Sequence, residues 1–225
     1  MPFSGHTARK RFAQHWLKDV SVLKKIISAA DLQPQDRVLE VGPGKGVLTK
    51  RLLDSEVAAV HAVELDKDLV VGLKQRFRYQ SRFTLQEGDV LSVSLKPPDG
   101  IASNKVVANI PYNITGPLLE RLVGRLDKPV ETRFQLLVLL LQKEVADRIV
   151  ARPGQSNFSA LSVRLQLLAN CKDICQVAPS CFQPPPKVHS KVIVIEPIKK
   201  EDCLNPVLAY RVDTLLRMAF ASRRK

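Results

Sequence analysis

Arg37-Val38-Leu39-Glu40-Val41-Gly42-Pro43-Gly44-Lys45-Gly46 is the stretch that decides the architecture. Residues 37–41 are rich in β-branched and apolar side chains and read as a strand. Residues 47–53 then show apolar positions at helical spacing. A strand that passes through closely spaced glycines into a helix is the opening unit of an open, mostly parallel α/β sheet. Glycines at such a turn let the backbone approach a ligand and aim its amides at it. The spacing here is G-x-G-x-G, not the G-x-G-x-x-G of dinucleotide-binding folds. A phosphate-cradling loop would need Gly-Lys-Ser/Thr after four spacer residues, and that is absent.

Outward from this turn the alternation continues. Residues 57–63 read as a second strand ending in Glu64-Leu65-Asp66, with a helix following to about residue 79. Residues 82–86 form a third strand ending at Gly88-Asp89. Residues 105–108 form a fourth that runs into Asn109. A helix over 117–126 leads to residues 133–141, whose unbroken apolar character predicts a strand buried on both faces. Helices over 143–151 and 159–168 flank a turn at Pro153-Gly154. Pro184-Pro185-Pro186 is a stiff extended loop. Residues 188–195 alternate apolar and polar side chains and read as a strand near the sheet edge. A last helix is expected over 213–220.

The chain has 225 residues, 45% of them hydrophobic, enough for one sizeable core and a small appendage. Lys and Arg number 35 against 22 acidic residues, a net charge of +13 that points to a polyanionic partner, nucleic acid first among them. The four cysteines, Cys171, Cys175, Cys181 and Cys203, fit no paired zinc spacing and suggest reduced thiols, so no metal is expected. The N-terminus has no apolar leader, and the longest apolar run, residues 136–141, is far short of the ~20 residues that span a bilayer. A monomeric cytoplasmic protein with no membrane partner is expected.

Three further features fall at strand ends, where open parallel sheets bind ligands. Glu64 is placed to accept from the ribose hydroxyls of an adenosine moiety. Asp89 is placed to accept from an adenine amine. Asn109-Ile110-Pro111-Tyr112 ends the fourth strand. The amine of adenine is a poor nucleophile because its lone pair is delocalised into the ring. An Asn side-chain oxygen and a nearby backbone carbonyl can accept its two hydrogens and localise that pair. Pro111 has no amide hydrogen and restrains Ile110 to an extended conformation. Tyr112 offers a flat face on which an unstacked base can rest. No strong general base is required, since the proton can leave after the amine becomes cationic.

The ordered motifs resemble those of the ribosomal RNA adenine dimethyltransferases of the KsgA type. The resemblance rests on Arg9-Lys10-Arg11-Phe12, Gln14-His15-Trp16-Leu17, residues 38–49, Val63-Glu64-Leu65-Asp66, Gly88-Asp89-Val90 and residues 109–115. Residues 142–149 and Phe182-Gln183-Pro184-Pro185-Pro186-Lys187-Val188 extend it over nearly the whole chain. It implies a Rossmann-like class I S-adenosylmethionine-dependent methyltransferase with a mostly parallel seven-stranded sheet and helices on both faces. The catalytic domain would span residues 1–200, and 201–225 would begin a small helical domain, mostly missing here. The expected activity is transfer of two methyl groups to each of two adjacent adenosines near the 3′ end of 16S ribosomal RNA, within the small subunit or its precursor.

The same resemblance assigns donor contacts to His15, Leu17, Gly42, Gly44, Glu64, Asp89 and Asn109. It places Asn109, Pro111, Tyr112 and Phe182 at the target base, with Phe182 closing opposite Tyr112. Ala13 and His15 stand where the family often has Gly and Asn, with His15 read as a backbone or ribose contact ahead of a catalytic base, and Trp16 replaces a common Phe, which should preserve an apolar lid. Arg9, Lys10 and Arg11 are the candidate RNA contacts, with Lys187, Lys191 and the Arg223-Arg224-Lys225 cluster as further ones. Two competing readings remain: a large-subunit adenine methyltransferase of the antibiotic-resistance type, and an assembly or transcription factor that keeps the fold without the chemistry.

Overall fold

The computed structural model describes residues 14–128, 130 and 134–221. A two-residue strand β1 (Trp16–Leu17) and helix α1 (Val20–Ala29) precede the glycine turn. The turn joins β2 (Arg37–Val41) to α2 (Val47–Asp54). Then follow β3 (Ala59–Glu64), α3 (Lys67–Arg76), β4 (Phe83–Glu87), β5 (Lys105–Asn109), α4 (Thr115–Val123), β6 (Leu136–Gln142), α5 (Lys143–Val150) and α6 (Ala160–Gln166). The chain closes with β7 (Ala169–Val177), β8 (Phe182–Gln183), β9 (Ser190–Pro197) and α7 (Pro206–Ala221).

Seven strands make one sheet in the order β4-β3-β2-β5-β6-β9-β7. β2 through β6 pair in parallel, and β9 runs antiparallel to both β6 and β7. The chain steps outward from β2 to β4, then returns to place β5 on the other side of β2. Strand order therefore reverses between β2 and β5, and the crevice at their carboxyl ends is where such sheets bind ligands.

Each face of the sheet carries its own core. Leu39, Val41, Val63, Val106, Leu137 and Leu139 meet α4, α5, α6 and α7 on one side. Val38, Val60, Val107, Val138 and Leu140 meet α1 and α2 on the other, with Leu73 and Phe77 from the α3 region. β6 feeds both, which is why its sequence is apolar without interruption. The helices have local reasons to start where they do. The Asp19 carboxylate accepts from the Ser21 and Val22 amides at 2.8 and 3.1 Å and caps α1. Asp66 does the same for α3 through Asp68.

Two features depart from expectation. The strand expected near the edge, β9, is the last but one, between β6 and β7, and the edge strand β7 itself was not expected. β7 carries Lys172 and Asp173 and exposes much of its length, the charged character by which edge strands resist pairing with other chains. Helix α7 starts at Pro206 rather than at 213, with proline in the first turn, where its missing amide hydrogen costs nothing. Within α7, Ala209 and Leu216 are buried, and Asp213 accepts from Arg164 of α6 at 2.6 Å.

Candidate active site

The glycine turn is held in a shape that other residues resist. Gly44 and Gly46 have φ of 60° and 73°, in the left-handed region. A Cβ on Gly44 would lie 2.7 Å from the Trp16 ring, and one on Gly46 would lie 2.6 Å from the Phe77 ring. The Gly44 amide donates to Glu64 Oε2 at 3.1 Å, and the Asp66 amide donates to Glu64 Oε1 at 2.9 Å. Glu64 thus has one donor on each oxygen and lone pairs left for a ligand. Burial raises its pKa, against the pull of the Asp66, Gly44 and Leu65 amides.

Beneath the turn lies a second carboxyl. Glu40 is 1% exposed, and its Oε2 finds no hydrogen-bond partner of proper geometry. Burial, with the nearby Glu64 charge adding to it, pushes Glu40 up to about 8, although Thr49 pulls the other way. Glu40 is therefore a neutral acid at pH 7, and Glu64 is the carboxyl that faces the crevice.

Residues 14–17 lie across the crevice. Trp16 packs on Gly44, with Lys45 Nζ 4.0 Å from its ring centroid. Gln14 Nε2 donates to Asp66 Oδ2 at 2.8 Å. β1 pairs antiparallel with β8, matching Trp16 with Gln183 and Leu17 with Phe182. The segment that covers the glycine turn is thereby stapled to the loop that follows β7.

The tetrapeptide at the end of β5 completes the crevice. Asn109 Nδ2 donates to the His15 carbonyl at 3.0 Å, which sets the direction of the carboxamide. Among the described residues Asn109 Oδ1 accepts no hydrogen bond, so an acceptor is left over beside the cavity. The Ile110 amide donates to the Leu140 carbonyl at 3.0 Å and anchors the turn to β6. Tyr112 Oη and Ser190 Oγ share a hydrogen bond at 2.5 Å, and burial raises the Tyr112 pKa despite it. The His15 ring stacks on Tyr112, centroids 5.8 Å apart and planes 26° apart.

A cavity of about 300 Å³ joins these features. Its lining includes Gly42, Gly44, Glu64, Asp89, Asn109, Pro111, Tyr112 and His15. Its size and its mix of apolar walls with a few convergent acceptors suit a small organic ligand. Asp89 is exposed at its rim and accepts from the Leu91 amide at 2.9 Å. Among the described residues no group of three His, Cys, Asp or Glu side chains is placed to hold a metal ion. No helix among them is long and apolar enough to cross a membrane.

Some expected residues fall elsewhere. Leu17 is 5% exposed, packs in the core and does not line the cavity. Phe182 is 1% exposed and packs with Leu17, Val177 and Val192. It does not line the cavity, so the structure does not bring it face to face with Tyr112. Lys191 is held by Asp147 at 2.8 Å and Asp173 at 2.5 Å, which removes it from the free cations offered to RNA. Arg9, Lys10 and Arg11 lie outside the described residues, as does the cluster 223–225. Gln14 and Ser190 belong to the site without having been assigned a role from sequence, while Trp16, expected as an apolar lid, packs on Gly44 at the cavity. Ser190 had no local signal, because only the β6–β9 register, which pairs it with Gln142, brings it to Tyr112.

Comparison with known proteins gives the family. A family model described as "Ribosomal RNA adenine dimethylase" matches residues 5–225. The chain is 70% identical over all 225 residues to "Ribosomal RNA small subunit methyltransferase A" of Prochlorococcus marinus (strain MIT 9303), covering 80% of that protein. It is 65% identical to the protein of the same name from Parasynechococcus marenigrum (strain WH8102), covering 74% of it. Among solved structures, a dimethyladenosine transferase from Plasmodium falciparum superposes with a TM-score of 0.81 at 34% identity, over 94% of this chain and 72% of that one. The 23S rRNA methyltransferase ErmE superposes with a TM-score of 0.75 at 25% identity, over 93% of this chain and 80% of that one. With its glycine turn, buried Glu64 and the tetrapeptide at Asn109 gathered on one crevice, this chain belongs to the ribosomal RNA adenine dimethylase family.

Proposed function

We propose that this chain dimethylates the exocyclic amines of two adjacent adenosines near the 3′ end of 16S ribosomal RNA, with S-adenosylmethionine as methyl donor, during maturation of the small subunit. The observation that carries the reading is the Asn109 carboxamide, turned by the His15 carbonyl so that its oxygen is left as an acceptor. The small-subunit substrate follows from the 65–70% identity to proteins named for it, against 25% to a 23S enzyme.

S-adenosylmethionine, when bound, supplies a methyl group on a positively charged sulfur. The residues fit such a donor. Glu64 takes the ribose hydroxyls on the lone pairs its two amides leave open. The Gly42–Gly44 backbone accepts close approach, and Asp89 at the rim takes an adenine amine. The His15, Leu17 and Asn109 backbones close the donor site. On the substrate side, Asn109 Oδ1 and the Ile110 carbonyl accept the two amine hydrogens of the target adenine. That draws the lone pair out of the ring and aims it at the donor. Pro111 shapes the turn, and Tyr112 offers a face to the base. Phe182 joins the clamp only if the 182–186 segment moves. Arg9, Lys10 and Arg11 hold the RNA backbone, a sequence-independent and salt-sensitive contribution.

The test is Asn109→Ala. Removing a donor or acceptor that acts in the transition state costs about 10²- to 10³-fold in turnover. Donor affinity and thermal midpoint are expected to stay near those of the unchanged protein. Turnover within twofold of it would remove Asn109 from the chemistry.

A further inference from the structure

The imidazole of His15 has a use that neither the donor site nor the amine clamp requires. Its backbone carbonyl serves Asn109, but its ring is aimed elsewhere. His15 Nδ1 lies 2.9 Å from the Pro184 carbonyl oxygen. A carbonyl can only accept, so Nδ1 carries the hydrogen, and in the neutral ring Nε2 is then an unprotonated acceptor. Among the described residues Nε2 has no hydrogen-bond partner. His15 lines the cavity beside Tyr112 and Asn109, its ring stacked on the first and its main chain bonded to the second. The 5.8 Å between the His15 and Tyr112 centroids leaves no room for a base between them, since two stacked layers need about 7 Å. The target adenine therefore either uses another face of Tyr112 or meets the edge of the His15 ring, where Nε2 is.

We propose that His15 Nε2 is the acceptor of the proton that leaves the target amine on methyl transfer. The inference rests on the adenine-methyltransferase reading above. The balance is simple: the amine nitrogen forms a bond to the methyl carbon, the carbon–sulfur bond breaks, and the positive charge moves from sulfur to nitrogen. The amine proton then passes to Nε2, and the imidazolium later loses it to water. A neutral His15 assists this transfer of charge, whereas a protonated one stands beside a developing cation and opposes it. The hydrogen bond to Pro184 keeps the ring in the accepting tautomer, as second-partner bonds do for histidine generally. The other titratable groups of the cavity are Glu64, Asp89 and Tyr112. Asp66 holds the neighbouring Gln14, and Lys45 lies over Trp16.

Two measurements on the full chain test this. The first is the pH dependence of single-turnover methyl transfer to unmethylated small subunits, for the unchanged protein, His15→Asn and His15→Gln. The unchanged protein is expected to lose rate toward acid pH. Both variants keep the backbone carbonyl, so donor affinity is expected to hold within about twofold. Their rate at pH 8 is expected to fall roughly tenfold, the low side of general-base help because water can substitute, and the acid limb to vanish. An acid limb that persists in both variants would assign it to Glu64 or another group and overturn the proposal. No methyl transfer to RNA by the unchanged protein overturns the underlying reading as well. The second measurement is independent of turnover: nitrogen-15 NMR of the histidines, with the His15 signal identified by its loss in His15→Asn. The proposal requires the Nδ1–H tautomer in the neutral ring, and an Nε2–H tautomer would refute it.

Discussion

Glu40→Gln tests whether the carboxyl beneath the glycine turn is neutral in the fold. Glu40 is 1% exposed, and burial with the Glu64 charge raises its pKa from 4.5 to about 8. At pH 7 the unfolded chain has this carboxyl ionised, while the folded chain holds a proton on it. With about 1.4 kcal/mol for each tenfold step, keeping that proton at pH 7 costs about 3 kcal/mol of stability. The sign follows from proton uptake. The folded state binds the extra proton, so this contribution is complete below pH 4.5 and is lost as pH rises from there through about 8. Glutamine keeps the shape of the carboxyl and is neutral throughout. The assay is urea unfolding of both proteins at half-unit steps from pH 5 to 8.5, with no donor added. The stability of Glu40→Gln relative to the unchanged protein is expected to climb by about 1.4 kcal/mol per pH unit and to level off near pH 8. A difference that stays constant over this range would mean that Glu40 is ionised in the fold.

Other consequences follow from single contacts. Gly44→Ala forces a Cβ to within 2.7 Å of the Trp16 ring at a φ of 60°, so donor affinity measured by calorimetry is expected to drop at least tenfold, with a stability loss of about 1–2 kcal/mol. Unaltered affinity would show that Trp16 and the turn do not form the donor site together. Asp36→Asn breaks the buried pair with Lys105, 2.7 Å apart, and is expected to cost about 3–5 kcal/mol by leaving that ammonium without its counter-charge. Burial raises the Asp36 carboxyl, but Lys105, Asn104 and the Gln33 amide together hold it below its ordinary 3.8. The pair's contribution is therefore present above that value and lost as pH falls through it, which acid unfolding of the unchanged protein reads directly. Tyr112→Phe removes the hydrogen bond to Ser190 and keeps the ring, so turnover is expected to fall less than fivefold, whereas Tyr112→Ala is expected to lose about 1–3 kcal/mol of base stacking, read in the KM for RNA.

What could be read in the chain follows from how each element is buried. β2 and its glycine turn were legible because apolar strand, left-handed glycines and helix follow one another without interruption. β6 was legible because both of its faces are covered. β7 left no periodic trace: an edge strand with Lys172 and Asp173 exposed reads like a loop. Helix α1 did carry a signal, with Asp19 as cap and Val22, Leu23 and Ile26 on one face, although short helices of this kind compete with strand patterns when valine and isoleucine are frequent. Glu64, Asp89 and Asn109 were placed by their position after strands, and all three line the cavity. Phe182 was placed by the family resemblance alone. The antiparallel match of β8 with β1 instead turns it into the core beside Leu17. The partners that set the tilt of Asn109 and Tyr112, the His15 carbonyl and the Ser190 hydroxyl, come from 94 and 78 residues away and depend on tertiary register.

The central claim is that the Asn109 crevice methylates adenines of small-subunit RNA, and one labelling measurement addresses it directly. Purified chain is given S-adenosylmethionine carrying a radiolabelled methyl group, with unmethylated small subunits in one reaction and large subunits in another. The label is then mapped to nucleotides. The account predicts label on small-subunit RNA alone, as two methyl groups on each of two adjacent adenines near the 3′ end. Label confined to large-subunit RNA, or on a base other than adenine, would contradict it.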